Sequence, residues 1–295
     1  MSNRRAKGIA AMIGAVALFS AMDALLKLLV EHYPPMQVTA LRGLASIPFL
    51  LLPIVIRGRW SRLKPTRWHW HVARAAIGVV MLGSFIYAVQ RLSLADTYAI
   101  FMCAPLLIVA LSVPLLREKV APGQWAAIAV GLAGVIVMLR PTGAGWATLG
   151  GLAAVLSAVC YAVSAIALRV LSRTETTESL VVYFTALLSL GAGLIALPGW
   201  RPMVLADLPL LLGIGVFGSI AQYLITEAFR NAPASVVAPF EYTALLWGVV
   251  LDLVVWKVLP GAITLVGGVV VIGAGLYLIA RERQLPTAVP DGGQP

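Results

Sequence analysis

Ten apolar runs divide this chain from end to end: Gly8–Val30, Met36–Ile56, Val72–Val89, Ala95–Leu116, Gln124–Leu139, Trp146–Leu168, Leu180–Leu197, Leu208–Phe229, Ala232–Val255 and Ala262–Ala280. A bilayer core of ~30 Å is crossed by ~20 helical residues at ~1.5 Å each, and every run approaches that length once tilt is allowed for. Inside lipid the backbone has no water to bond to, so such runs must be helices that satisfy their own N–H and C=O groups. With 60% hydrophobic and 12% charged residues, the chain also has too little polar surface to cover a water-soluble globule. The fold class is therefore all-α and integral to the membrane, with ten transmembrane helices joined by short loops.

The first run follows Arg4, Arg5 and Lys7 and invites comparison with a signal peptide. It is longer than a signal core, carries Asp23 and Lys27, and no small-residue cleavage site follows it, so it reads as a retained helix. Placing the N-terminus in the cytoplasm puts sixteen Lys and Arg in inner segments, Arg57, Arg59, Arg62, Lys64, Arg67 and Arg74 among them. Four remain outside, Arg91, Arg140, Arg201 and Lys257. The positive-inside rule then leaves both termini cytoplasmic, in a bacterial inner membrane.

That rule also accounts for the formal charge of +10, so the basic balance gives no reason to invoke nucleic acid. Trp60, Trp68, Trp70, Trp125, Trp146, Trp200 and Trp256 sit in loops or at helix ends, where interface anchoring explains them; Trp247 lies well inside the ninth helix. His69 and His71 share the basic loop and read as solvated residues, not metal ligands. Cys103 and Cys160 fall in apolar runs and read as small buried hydrophobes. No nucleotide-binding loop, HExxH pair, Ser-His-Asp set or adjacent-helix aspartate pair is present, so neither an enzyme, a cofactor nor a metal is expected.

The chain repeats itself. A shift of 138 positions lays Pro260-Gly261 on Pro122-Gly123, Lys257 on Lys119, and the ninth run over Leu94–Leu116. Five helices per half is odd, so the halves, 8–140 and 146–281 with a short tail over 282–295, face opposite ways as inverted repeats around a central cavity. Pro105 in CAP of the fourth run and Pro239 in VAP of the ninth predict kinks at matching places, a pointer to a binding site at the repeat interface. In this pairing Cys103 occupies the position of Glu241, so the carboxylate belongs to one half only.

Three stretches, FSAMDALLKLLVEHYPPMQVTALRG at Phe19–Gly43, LREKVAPGQWAAIAVGLAGVIVM at Leu116–Met138 and FRNAPASVVAPFEYTALLWG at Phe229–Gly248, resemble the EamA-type permeases of the drug/metabolite transporter superfamily, which include bacterial amino-acid exporters. The resemblance covers residues 8 to 281 and is specific for fold and transport, but loose for substrate. It implies a basket whose cavity is lined mainly by the first, third, fourth, sixth, eighth and ninth helices. The fifth and tenth would stand outside as support, in keeping with their glycines (Gly131, Gly134; Gly267, Gly268, Gly273, Gly275).

Charges within the runs are few. Asp23 and Lys27 are spaced i, i+4 and share a helix face, and Arg42 lies at nearly the depth of Asp23. A lone charge at mid-bilayer costs ~2.5–3.5 kcal/mol on insertion scales, so these three should neutralise one another or face water. An Asp23–Arg42 ion pair and an outer gate or carboxylate-reading site both remain open, and Lys27 can snorkel outward. Glu241 stands about eight residues into its run with no basic residue at its depth; Gln222 and Glu227 are its polar neighbours. It is expected to read a substrate amine or a coupling proton, or else to be a structural carboxyl bonded to a neighbouring helix. Tyr87, Tyr98, Met102, Tyr161, Tyr223, Tyr242 and Trp247 complete the candidate lining, with Tyr98, Tyr161 and Tyr242 foremost.

A secondary transporter or facilitator exporting small metabolites, amino acids above all and aromatic or bulky ones in particular, follows from the resemblance together with these residues. The expected partners are a small-molecule substrate and the lipid bilayer, with a monomer as the unit. A carrier for a vitamin, nucleoside-like compound or drug, and a non-transporting membrane subunit, are the alternatives.

Overall fold

Short polar residues set the helix starts. In a computed structural model that describes residues 3–116, 122–138, 148–259 and 261–282, the Ser93 hydroxyl accepts from Asp96 N at 2.9 Å to open the helix Leu94–Phe101, Thr148 accepts from Gly151 N at 3.2 Å to open Leu149–Leu171, and Thr176 accepts from Ser179 N at 3.1 Å to open Thr177–Ala196. Each hydroxyl satisfies an N–H that has no partner in the first helical turn. The twelve α-helices of the described residues are α1 (Asn3–Leu29), α2 (Pro35–Ile56), α3 (Trp68–Arg91), α4 (Leu94–Phe101), α5 (Cys103–Leu116), α6 (Pro122–Met138), α7 (Leu149–Leu171), α8 (Thr177–Ala196), α9 (Leu208–Asn231), α10 (Ala234–Val237), α11 (Thr243–Leu251) and α12 (Ala262–Glu282).

Among the described residues, seven helical stretches are long and apolar enough to cross a membrane: α1, α2, α3, α4 with α5, α7, α8 and α9. The other three apolar runs are helical as well, as α6, as the interrupted pair α10 and α11, and as α12. Arg117, Lys119, Arg140, Trp146, Pro260, the junction between the two halves and the tail from 283 lie outside the described residues.

The fourth and ninth runs are each divided into shorter helices. The fourth run breaks at Met102, between α4 and α5, where the Pro105 ring crowds the carbonyl of Phe101 four residues earlier. The ninth run passes from the single turn of α10 into a 3-10 turn, Ala238–Tyr242, that contains Pro239 and Glu241, and only then into α11. A tighter turn with i→i+3 bonding tolerates the missing proline N–H and re-aims the side chains that follow.

Packing joins the first half to the second. The chief partners are α1 with α9, α3 with α7, α2 with α8 and α6 with α12, followed by α2 with α9, α3 with α8 and α5 with α7. Small residues let the helices close up: a methyl group on Gly215 of α9 would meet the backbone oxygen of Ala45 in α2 at 2.3 Å.

One polar residue differs from expectation. His71 is buried on α3, with Nε2 3.6 Å from Glu175 Oε1. The helix starts at Trp68, four residues before the apolar run, which turns His71 onto the inward face shared with Arg74, Ala75 and Gly78.

Candidate functional site

Helical spacing brings the polar residues of several helices into one interior cavity of about 140 Å³. From α1 come Phe19, Ser20 and Asp23; from α2, Arg42; from α3, Arg74, Met81 and Phe85; from α4 and the break after it, Tyr98, Phe101 and Met102. The second half supplies Ser157, Tyr161 and Ser164 of α7, Phe184 of α8, Gln222 of α9, and Glu241 at the 3-10 turn. Helices α2 and α8 thus add one residue each to the set that the resemblance implies, whereas α6 and α12 contribute none among the described residues.

Two carboxylates anchor this space. The Tyr98 hydroxyl donates to Asp23 Oδ2 at 2.7 Å, and the Tyr161 hydroxyl donates to Glu241 Oε1 at 2.9 Å. Glu241 is 4% exposed, and its Oε2 is buried with no hydrogen-bond partner among the described residues. Between the two tyrosines runs a continuous train of rings: Tyr98 stacks on Phe85 at 6.1 Å, Phe85 meets Phe101 edge-on at 5.6 Å, and Phe101 meets Tyr161 at 5.3 Å. Each pair of rings lies within the range where offset or edge contact is favourable.

Two guanidinium groups face the same space. Arg42 lies 5.6 Å from the Phe19 ring centre and donates from Nε to Met22 Sδ at 3.3 Å. It forms no ion pair with Asp23 within 4.0 Å, because the Asp23 carboxylate is turned to Tyr98; the two charges offset each other only through space. Arg74, counted from sequence with the basic loop, is 4% exposed, lies 4.1 Å from the Phe184 ring centre and donates to Leu180 O at 3.3 Å. The cavity that holds Glu241 therefore does contain a basic residue, contrary to the reading by depth.

The remaining candidates lie elsewhere. Lys27 is not part of the Asp23–Arg42 group: its Nζ is 3.5 Å from Asp252 Oδ1, donates to Leu92 O at 3.2 Å and sits 4.6 Å from the Trp256 ring centre. One helical turn beyond Asp23, it has reached the end of the helix and the partners found there. Tyr87, two residues past Phe85 and so on another face of α3, lies under the Arg91 guanidinium at 5.1 Å. Tyr223, next to Gln222, turns to a separate groove between α2, α8 and α9 and is 43% exposed. Tyr242 is buried in the apolar core with its hydroxyl unpartnered, since the 3-10 turn rotates it away from Glu241. Trp247 is 38% exposed, one position off the face on which Ala244 and Gly248 point inward. Glu227 bonds instead to Thr177 and Asn231.

Sequence reasoning missed Arg74, Phe19, Phe85, Phe101, Phe184 and the three serines. For Arg74 a signal existed, because His71, Arg74, Ala75 and Gly78 follow i, i+3, i+4, i+7 into the apolar run.

Helices that cross a bilayer, packed around an interior cavity with charged and aromatic walls, define a multi-pass membrane protein of the small-molecule transporter class. The chain belongs to the EamA-like transporter family, which matches residues 6–140 and again 148–281. It is similar to the pseudopaline exporter CntI of Pseudomonas aeruginosa, with 27% identity over 94% of this chain and 97% of that protein. A riboflavin transporter of Rhizobium johnstonii shares 27% identity over 74% of this chain and 73% of its own length. A solved crystal structure with 22% identity covers 95% of this chain and 99% of its own at a TM-score of 0.72, which carries the fold alone.

Proposed function

We propose that this protein is a secondary transporter or facilitator that exports small metabolites, amino acids with sizeable side chains foremost, across the bacterial inner membrane by alternating access. The observation that carries the reading is Glu241 Oε2, a buried acceptor without a protein partner in the central cavity. An acceptor left bare in a dry site costs about 1–3 kcal/mol, and a substrate ammonium or a coupling proton removes that cost. The ring train beside it offers an apolar wall for a side chain, and about 140 Å³ is near the size that admits one six-membered ring.

Inverted repeats supply the motion. Exchange of the two halves turns the α1–α9 packing into α7–α3 and the α2–α9 packing into α8–α3, and returns α2–α8 and α6–α12 to themselves, which supports two five-helix units related by a two-fold axis in the membrane. The basic loops support cytoplasmic termini, a monomer suffices for the cavity, and the gradient of substrate or proton sets the direction. A second reading, a carrier for a vitamin-like aromatic solute, is favoured by the name of the Rhizobium johnstonii relative.

The test is competition for uptake into proteoliposomes by a panel of amino acids, riboflavin and other amphipathic solutes, with and without a proton gradient. Transport by the purified protein, inhibited best by bulky amino acids, is the expected result; inactivity across the panel would favour a non-transporting subunit. Correctly inserted Glu241→Gln that keeps full transport and an unchanged pH profile removes Glu241 from the mechanism.

A further inference from the structure

We propose that Arg74 and Glu241 are a matched pair of receptors for the two charges of a zwitterion, Arg74 taking the carboxylate and Glu241 the ammonium of an α-amino acid. The inference rests on the amino-acid reading of the cavity and adds to it the group that recognises the anionic end.

Three observations meet here. The Arg74 guanidinium is buried in the cavity wall with its Nε unpartnered among the described residues, and its hydrogen bond to Leu180 O is long at 3.3 Å. Glu241 likewise presents a bare buried oxygen to the same cavity. The two opposite charges are not joined, since no ion pair of the described residues links them. Tyr161, in the same cavity wall, donates instead to Glu241 Oε1.

Opposite charges buried in one cavity gain most by collapsing onto each other. Here Arg74 lies against the Phe184 ring and Glu241 accepts from Tyr161, so each is held by its own neighbour. An α-amino acid carries its ammonium and carboxylate on one carbon, and laid between them it completes both coordination shells at once. Phe101, Phe85 and Met81 of the same lining offer its side chain an apolar wall. A plain amine leaves Arg74 uncovered, and a plain carboxylate leaves Glu241 uncovered. Arginine suits the task, because its planar fork meets a carboxylate with two parallel donors. Arg42 is placed differently: its charge is offset by Asp23, and its Nε already bonds to Met22.

The test is isothermal titration of the purified full-length protein in detergent with L-phenylalanine, 2-phenylethylamine and 3-phenylpropionate. Wild type should bind phenylalanine about tenfold or more tighter than either fragment. Arg74→Gln should lose about tenfold or more for phenylalanine yet keep wild-type affinity for phenylethylamine, and Glu241→Gln should do the converse with phenylpropionate. Arg74→Lys should fall between, as a point charge without the fork. Equal wild-type affinity for phenylalanine and phenylethylamine overturns the proposal, as does uniform weakening of all three ligands in Arg74→Gln; if that variant does not fold, wild-type selectivity and Arg74→Lys still decide. Binding of phenylalanine without the variant pattern removes only the Arg74 assignment. No binding of any of the three by folded wild type removes the amino-acid reading and this inference with it.

Discussion

The Asp252 carboxylate at the end of α11 lies 2.6 Å from the backbone nitrogen of Ala95 at the start of α4. Its other oxygen accepts from Leu94 N at 3.2 Å and faces Lys27 of α1 at 3.5 Å, so one side chain, 1% exposed, ties three elements together. An anion at a helix N-terminus meets both the unpaired N–H groups and the positive end of the dipole. Asp252→Ala should destabilise the protein by about 3 kcal/mol and Asp252→Asn by about half that, read as loss of thermal stability in detergent. In the double variant Lys27→Met/Asp252→Asn the loss should be less than the sum of the single losses, because the stranded ammonium is gone.

The two tyrosine hydroxyls should separate binding from folding. Tyr161→Phe removes the donor to Glu241, and Tyr98→Phe the donor to Asp23, while every ring contact in the train between them is kept. Either change should raise the transport KM about three- to tenfold, the net size of one ordinary hydrogen bond, with protein yield little altered. A normal KM in both variants would sink the view that these carboxylates are held in position by the tyrosine hydroxyls.

Close helix approach makes a prediction about volume. Gly215→Ala forces a methyl group against the Ala45 carbonyl oxygen, which belongs to backbone and cannot swing aside, so α2 and α9 must separate. A loss of about 1–3 kcal/mol in thermal stability is expected. Gly273→Ala, with nothing within 4 Å of the added carbon, is the control and should be neutral.

Residues outside the cavity should be silent in transport. Trp247→Phe and Tyr87→Phe, one on the exposed face of α11 and the other under Arg91, should change KM by less than about twofold. A large effect on KM from Trp247→Phe would mean that α11 presents a different face to the substrate.

Helix positions and the two proline breaks could be read from the sequence because hydrophobic run length and a missing N–H act locally. So could the inward placement of Asp23, Arg42, Tyr98, Tyr161, Gln222 and Glu241, since a polar group in an apolar run must turn away from lipid. Rotation about a helix axis was less legible. Tyr87, Tyr223 and Trp247 missed the cavity because one residue turns a helix by ~100°, and the 3-10 turn at Ala238–Tyr242 changes the phase on entry to α11. Arg74 was hidden by its neighbours: basic residues at the start of a helix look like loop charges until the structure shows that α3 begins at Trp68. The pairing of Lys27 with Asp252 joins positions in different halves, and no local pattern announces it.

The charges around the cavity are not shared evenly between the two family-matched segments, 6–140 and 148–281. Asp23, Tyr98, Arg42 and Phe19 all come from the first, whereas Glu241, Tyr161 and Phe184 come from the second and face Arg74, which the first lends across the interface. A self-paired copy of the second segment would own two acids and two phenols but neither cavity arginine. A self-paired copy of the first would own no Glu241. For all their likeness in helix pattern, the segments should behave as an obligate heterodimer written into one polypeptide, with severed halves recovering a complete site only when each is supplied with the other.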